Sequence, residues 1–465
     1  MIPVLTPAQM AEVDRNAPES LEVLVDRAAT KVAIAAIDML GGAYGRRVVV
    51  VAGPGNNGAD GRVAAQKLAR RGARVRVLDA LEVDSTTNLD RVDLVIDAAF
   101  GTGFRGEFSF PDVGDTPVLA VDIPSGVSGL TGRASGTPAR AISTVTFAAL
   151  KPGLLLGEGA DLSGDVRLVD IGLDVSGARM HLVEDSDIES WIPQRPRHAH
   201  KWRSALWVFA GSPGMAGAAW LTCAAALRAG AGYVRHSSIE ALDTHGNSSY
   251  PTTGVETVFH PVEASQWAAA LSQEAHRFAA VALGPGVGRH PETIAAVREI
   301  ASLDGFPLVI DGDGLSALGE LAAPVLTERN APTVLTPHEA EFARLAGPAG
   351  DGPSEDRIDA TVALAAQTNS VVLLKGPTTI VASPDGSVLL ANSGDARLAT
   401  AGTGDVLTGI IAAHLARGAR ADVAAAAGAF VHGRAAGLGP ATGLIARDVI
   451  DRLPLAYTEI LGDRP

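Results

Sequence analysis

Asp405 closes a tight turn of small residues, Ala399-Thr400-Ala401-Gly402-Thr403-Gly404-Asp405-Val406-Leu407-Thr408-Gly409, and opens a long apolar run. Free N–H groups and the positive end of a helix dipole at such a turn suit a phosphoryl oxygen. A carboxylate beside them is badly placed to bind phosphate and well placed to take a proton from a hydroxyl. The pairing suggests phosphoryl transfer to an alcohol; the plainer reading is a helix that starts with an aspartate. A second run, Gly53-Pro54-Gly55-Asn56-Asn57-Gly58-Ala59-Asp60-Gly61, follows a β-rich stretch and matches G-x-G-x-x-G literally. Asp79, 21 residues past Gly58, imitates the ribose-binding acid of a Rossmann dehydrogenase, so a nicotinamide oxidoreductase is a rival reading. Asn56, Asn57 and Asp60 tell against it. They put oxygen ligands where that fingerprint wants bare backbone, which suits a polar ligand or a hard cation.

Three further strand ends are polar. Asp97 leads into Gly101-Thr102-Gly103-Phe104-Arg105-Gly106, Asp122 into Ile123-Pro124-Ser125-Gly126, and Lys151 into Pro152-Gly153. Ligands of an open parallel sheet bind beyond the carboxyl ends of its strands, so these ends describe one pocket, although each Asp alone reads as a turn or cap residue. The second half repeats the theme with Gly211–Ala218, Leu283-Gly284-Pro285-Gly286-Val287-Gly288, Asp311-Gly312-Asp313-Gly314-Leu315, Thr336-Pro337-His338-Glu339-Ala340-Glu341 and Lys375-Gly376-Pro377-Thr378-Thr379.

The elements that must carry these residues alternate. Runs at 48–52, 74–79, 93–97, 118–122, 143–147 and 166–171 read as strands, with helices over 7–40 and 60–71. This predicts an N-terminal Rossmann-like, doubly wound, mostly parallel sheet. Strands at 205–210, 281–283, 308–311, 333–336, 371–374 and 379–382, with helices at 217–230, 405–417 and 421–438, predict a second α/β domain. Prolines and basic residues around 191–201 suggest a linker, placing the domains at 1–185 and 201–465 with 186–200 between them. A length of 465 residues fits two or three domains, and 47% hydrophobic residues with 52 glycines fit compact α/β folds. A net charge of −14 argues against a nucleic-acid or anionic-membrane partner. The single cysteine, Cys223, sits in an Ala/Leu-rich stretch that reads as core. No apolar run reaches the ~18 residues of a membrane span, and the N-terminus carries no signal-like pattern, so a cytoplasmic enzyme is expected.

The motifs GPGNNGADG, DAAFGTGFRG, VDIPSG and LKPG, in this order within residues 1–185, resemble the NAD(P)H-hydrate epimerase domain. The resemblance implies contacts to a hydrated nicotinamide dinucleotide from Asn56, Asn57, Gly58, Ala59 and Asp60. It implies others from the loop Gly101, Thr102, Gly103, Phe104, Arg105, Gly106 and Glu107. Asn57, Asp97 and Ser125 match the potassium ligands, and Asp122 the acid–base that interconverts R and S forms. Lys151 is a second polar group or a diphosphate contact. LGPGVG, TPHEAEF, KGPTT and NSGDARLATAGTGDVLTG, within about 195–460, resemble the ribokinase-like superfamily and, inside it, the ADP-dependent NAD(P)H-hydrate dehydratase. By family position Ala218, a glycine of Gly286–Gly288, His338 and Asp405 contact the hydrate. Lys375, Gly376, Pro377, Thr378, Thr379 and Gly404 contact ADP or ATP, with Mg2+ accompanying the phosphates. Association of subunits is a further implication.

Departures from the family pattern are Ala59 for glycine, Trp202 after His200-Lys201, Met215 near a usual aromatic, and Gly312 and Gly314 for alanines. Ser237–Val258 also has no Pro-Glu-Val-Met-like run. Two other readings compete with a two-activity repair enzyme. One is a small-molecule kinase fused to a dinucleotide-binding domain. The other is a nonenzymatic regulator, disfavoured by the retention of Asp97, Asp122, Ser125 and Asp405.

Overall fold

The computed structural model describes residues 1–462 apart from 85, 88, 90, 240–255 and 348–355. Most of the Ser237–Val258 stretch therefore lies outside the described residues. The chain forms two compact units, Ile2–Met180 and His181–Pro465 together with Met1.

In the first unit six strands form one parallel sheet in the order Arg74–Asp79, Arg47–Ala52, Leu94–Ala98, Val118–Val121, Ser143–Phe147, Asp165–Val169. The central strands are apolar at nearly every position because both faces are covered. Val48, Val50, Leu94 and Ile96 pack under the helices Leu21–Leu40 and Asn56–Arg70, while Val49, Val51, Val95 and Ala120 join a cluster with Phe108 and Phe110. Strand order reverses beside Arg47–Ala52. The chain leaves that strand for Arg74–Asp79 on one flank and returns to Leu94–Ala98 on the other, which opens a crevice at their carboxyl ends.

The second unit repeats this plan. Tyr233–Ser237 and Ala280–Leu283 flank Ala205–Phe209, all parallel, and Leu308–Ile310, Thr333–Leu335 and Val371–Leu374 extend the sheet in parallel. Thr379–Ala382 and Val388–Ala391 add antiparallel strands. The helices Ala216–Arg228, Thr403–Ala416, Ala421–Gly437 and Ala446–Leu461 bury one core, and Cys223 lies in it.

Residues 186–200 are not only a connection. Helix Asp185–Trp191 covers their start, Ile188 and Ile192 are buried in the second unit's core, and the units divide between Met180 and His181. Both motif-bearing helices begin earlier than their sequence suggests, at Asn56 and Thr403. In each, a glycine supplies the break, Gly55 extended and Gly402 left-handed at φ +88°, so the polar residues after it fall in the first turn. Among the described residues no helix is long and apolar enough to cross a membrane.

Candidate active sites

The crevice of the first unit holds a cavity of about 550 Å3, lined among others by Asn56, Asn57, Asp60, Gly101–Phe104, Asp122 and Lys151. Gly53 makes it possible. A Cβ there would run into the Ala99 carbonyl, so the two loops meet only through a bare backbone. Asp122 leaves its strand with φ +67°, a costly conformation for a branched-free but substituted residue, and this turns the carboxyl toward the cavity lining. Its Oδ1 lies 2.7 Å from Lys151 Nζ and accepts a 3.2 Å hydrogen bond from the Thr146 hydroxyl. Lys151 is 1% exposed and also donates to Thr146 Oγ1 and the Phe147 carbonyl. With its ammonium so engaged, Lys151 is a partner of Asp122 and not a free diphosphate contact. Thr102 N–H reaches Asp122 Oδ2 at 3.4 Å.

Below this pair sits Asp97, fully buried. Its carboxylate accepts from the Ser125 hydroxyl and N–H and from Ala99 N–H, yet burial still pushes it up to about 6. Asn57 is buried with both amide atoms unpartnered. A buried acid that is hard to ionise and a buried amide oxygen without a partner are each groups that an oxygen-seeking cation could satisfy. Asp60 is buried as well, and desolvation followed by the charges of Asp122 and Asp14 raises it to about 8. Arg105 folds back on the Thr102 and Phe104 carbonyls of its own loop. Thr146 and Asp14 were not singled out in the sequence. Asp14 lines the cavity from helix Pro7–Arg15, and nothing local distinguishes it from a surface aspartate.

In the second unit the switch-point loops again touch through backbone. Gly211 N–H donates to the Pro285 carbonyl at 2.8 Å, and a Cβ on Gly286 would press on Ala218 Cβ and Met215. Gly288 N–H bonds Asp313 Oδ2 at 3.0 Å. These contacts bring Ala218, Gly286, Gly288 and Met215 to one wall. Opposite in sequence but joined through one network stand Lys375, Asp311 and Thr408. Lys375 Nζ is 2.6 Å from Asp311 Oδ1, and Thr408 Oγ1 donates to Asp311 Oδ2 at 2.6 Å. Gly404 lies against that ion pair, since a Cβ on it would be 3.3 Å from Lys375 Nζ. Thr403 spends its hydroxyl on the turn, donating to the Leu398 and Thr400 carbonyls.

Asp405 is raised to about 7, by burial first, then by Asp311, with Lys375 opposing and Asp313 and Glu341 adding. Glu341 is raised by burial too. The ring Nδ1 of His338 accepts from Ala340 and Glu341 N–H and so caps helix Glu339–Ala346, which leaves Nε2 as the group turned elsewhere, 3.6 Å from Glu341 Oε1. Thr378 is buried, whereas Gly376 and Pro377 are exposed. Of the departures, Gly312 stands at φ +57°, where glycine relieves strain, and Gly314 packs so closely on Gly284 that an alanine would need a shift. Trp202 packs against Tyr233 with the rings tilted and their centres 4.5 Å apart, a packing role.

Residues 206–451 match the family model described as NAD(P)H-hydrate dehydratase, and residues 21–90 and 79–153 match the YjeF-related protein N-terminus. This chain belongs to the bifunctional NAD(P)H-hydrate repair enzymes. It is 35% identical to the Moorella thermoacetica member over 97% of this chain and 96% of that one, and 30% identical to the Escherichia coli member over 95% and 91%. The solved ADP/ATP-dependent NAD(P)H-hydrate dehydratase of Bacillus subtilis, co-crystallised with ATP and Mg2+, aligns at 28% identity with a TM-score of 0.51, over 60% of this chain and 97% of that one.

Proposed function

We propose that the first unit interconverts the R and S forms of hydrated NADH and NADPH, and that the second dehydrates the S form at the expense of ADP or ATP. The observation that carries the reading is the pairing, in one chain, of the Asp122–Lys151 couple with the Gly-Thr-Gly-Asp405 turn. Hydroxide leaves badly and phosphate leaves well. In the second unit Asp405 takes the proton of the ring hydroxyl as that oxygen attacks the terminal phosphorus, and the bond to the nucleotide breaks. N–H groups of the Gly402–Gly404 turn meet the charge on the phosphoryl oxygens. Phosphate then leaves with the C–O electron pair while the adjacent ring carbon gives up a proton, and the C–H pair becomes the new double bond of the ring. A base raised to about 7 suits this work near neutrality.

Lys375, Gly376, Pro377, Thr378, Thr379 and Gly404 hold the nucleotide, and Ala218, Gly286, Gly288 and His338 the hydrate. For Mg2+ the donor set fits: the acidic side chains near Lys375 are short of compensating charge, and magnesium carried by phosphates needs only one or two carboxylates. Bound there, it would neutralise charge on the transferring phosphoryl group. In the first unit Asn56–Asp60 and Gly101–Glu107 hold the dinucleotide. Asn57, Asp97 and Ser125 hold potassium, which would offset the buried charge of Asp97. Asp122, paired with Lys151, moves the proton. Incubation of the purified protein with the S hydrate, Mg2+ and ADP or ATP tests the reading through recovery of reduced-nicotinamide absorbance. If no reduced nicotinamide forms while the nucleotide is consumed on some other alcohol, an ordinary kinase is the better account.

A further inference from the structure

The titratable groups lining the first unit's cavity are Asp14 and Glu19 from the N-terminal helical segment, Asp60, Asp122 and Lys151. They are not equivalent. Glu19 is turned to Arg27 at 3.0 Å, and Asp14 stands at the more exposed edge. Asp122 is paired, 2.7 Å from Lys151 Nζ and accepting from the Thr146 hydroxyl. Asp60 is the contrast: it is 7% exposed, has no cationic partner and makes no hydrogen bond to any described residue. Because it lines the cavity, only the cavity's contents can meet its carboxyl. Its burial near two other acids favours the protonated form at neutral pH. Nor is it bonded to Asn57, whose amide has no partner at all. One cavity therefore presents a carboxyl with no counter-charge and another paired with a buried lysine, unlike environments of the kind that elsewhere separate an acid from a base.

We propose that Asp60 is a second catalytic residue of the epimerase, giving its proton to the hydroxyl that leaves the ring while Asp122 receives a proton from the water that returns. The inference rests on the epimerase reading above. The hydroxyl carbon of the hydrate also bears the ring nitrogen. The C–O bond breaks with its electron pair going to oxygen, which departs as water with the Asp60 proton, and the nitrogen lone pair forms a C=N+ bond. Water then adds to the other face, the C=N+ pair returns to nitrogen, and the surplus proton passes to Asp122. No oxidant or cofactor enters. The reverse inversion runs with Asp122 as acid and Asp60 as base, which returns both groups to their starting states. The acids Asp14, Asp60 and Asp122 around one cavity also favour the cationic ring between the two steps.

Two measurements on the full chain test this. Asp60→Asn keeps shape but carries no acidic proton to transfer. Its kcat for R-to-S and S-to-R conversion, followed by chromatographic separation of the two hydrates, is expected to fall about 100-fold or more with little change in KM, while dehydration of supplied S hydrate persists. Asp60→Glu is expected to restore part of the lost kcat, which a purely structural role would not do. Inversion by the wild-type protein in H2 18O is expected to place one labelled oxygen on the ring carbon per event. Wild-type kcat in Asp60→Asn, a change in KM alone, or inversion with retention of the original oxygen each overturns the proposal. Should the wild-type protein fail to interconvert the hydrates, the epimerase reading itself falls.

Discussion

Replacing Asp405 by asparagine separates the cost of its position from its use. The carboxyl moves from an ordinary 3.8 to about 7 because burial and the neighbouring Asp311, Asp313 and Glu341 outweigh Lys375. Three units at about 1.4 kcal/mol each give ~4 kcal/mol as an upper bound on what its ionisation takes from folding. The side chain is partly open to solvent, and screening reduces this to ~2 kcal/mol. The sign follows from a folded value above the unfolded one: stability is full below about pH 4, is lost as pH rises through about 7, and is constant beyond. Asp405→Asn lacks this titration, so it should match the wild-type protein near pH 4 and exceed it by ~2 kcal/mol above pH 8. All five tryptophans, at 191, 202, 207, 220 and 267, lie in the second unit, so denaturant titration by tryptophan fluorescence reads that unit. In the same variant, dehydration of S hydrate should fall about 10²- to 10⁴-fold while epimerisation is untouched. An identical stability difference at both pH values would refute the electrostatic reasoning, and retained dehydration would refute the role as base.

The remaining expectations are brief. Asp122→Asn should abolish epimerisation, leave turnover of supplied S hydrate intact, and destabilise the first unit by ~3 kcal/mol because Lys151 is left buried without its counter-ion; calorimetry and the two activity assays check this. Lys375→Ala removes the one group that lowers Asp405, so the acid limb of the dehydration pH profile should move to higher pH as the KM for nucleotide rises. Gly402→Ala forces a side chain into φ +88° beside Leu221, and should cost ~1–2 kcal/mol and weaken nucleotide binding measured by titration calorimetry. Exchange of potassium for choline should slow epimerisation of the wild-type protein, and Asn57→Leu should remove that dependence while dehydration stays constant.

Much of this architecture was legible because buried parallel strands write themselves as unbroken apolar runs. Val48–Ala52 and Val118–Val121 were visible for that reason, and so were the polar residues at their ends. Short strands were not. Val388–Ala391 was passed over although the Pro384-Asp385-Gly386 turn before it marks a hairpin, and Tyr233–Ser237, with Arg235, His236 and Ser237 in it, has too few apolar residues to declare itself. The segment before Pro193 read as a linker because one seven-residue helix with Ile188 as its buried residue has too little periodicity to declare itself. Within the sites, residue types were readable and pairings were not. Lys151 meets Asp122 across 29 positions, and Asp311 meets Lys375 and Thr408 across 64 and 97 positions. His338 looked like a pocket residue. Its Nδ1 caps a helix, and only the geometry shows that one ring nitrogen does this while the other remains.

The two sites solve the same problem with opposite electrostatics. Each is built where strand order reverses, and in each a loop glycine lets one backbone lie directly on another, Gly53 on Ala99 and Gly284 on Asp311. The first unit sets a buried cation, Lys151, 2.7 Å from Asp122. The second gives its lysine to Asp311 and leaves Asp405 among acids. A carboxyl so placed is a stronger base once ionised, because crowding by like charge favours the state in which it has taken up a proton. Phosphoryl transfer needs that from a hydroxyl's partner, and it also needs the surplus negative charge to be relieved while the nucleotide is bound. Lys375 is held by Asp311 beside the turn, against Gly404, where it lowers Asp405 by less than burial and the neighbouring acids raise it.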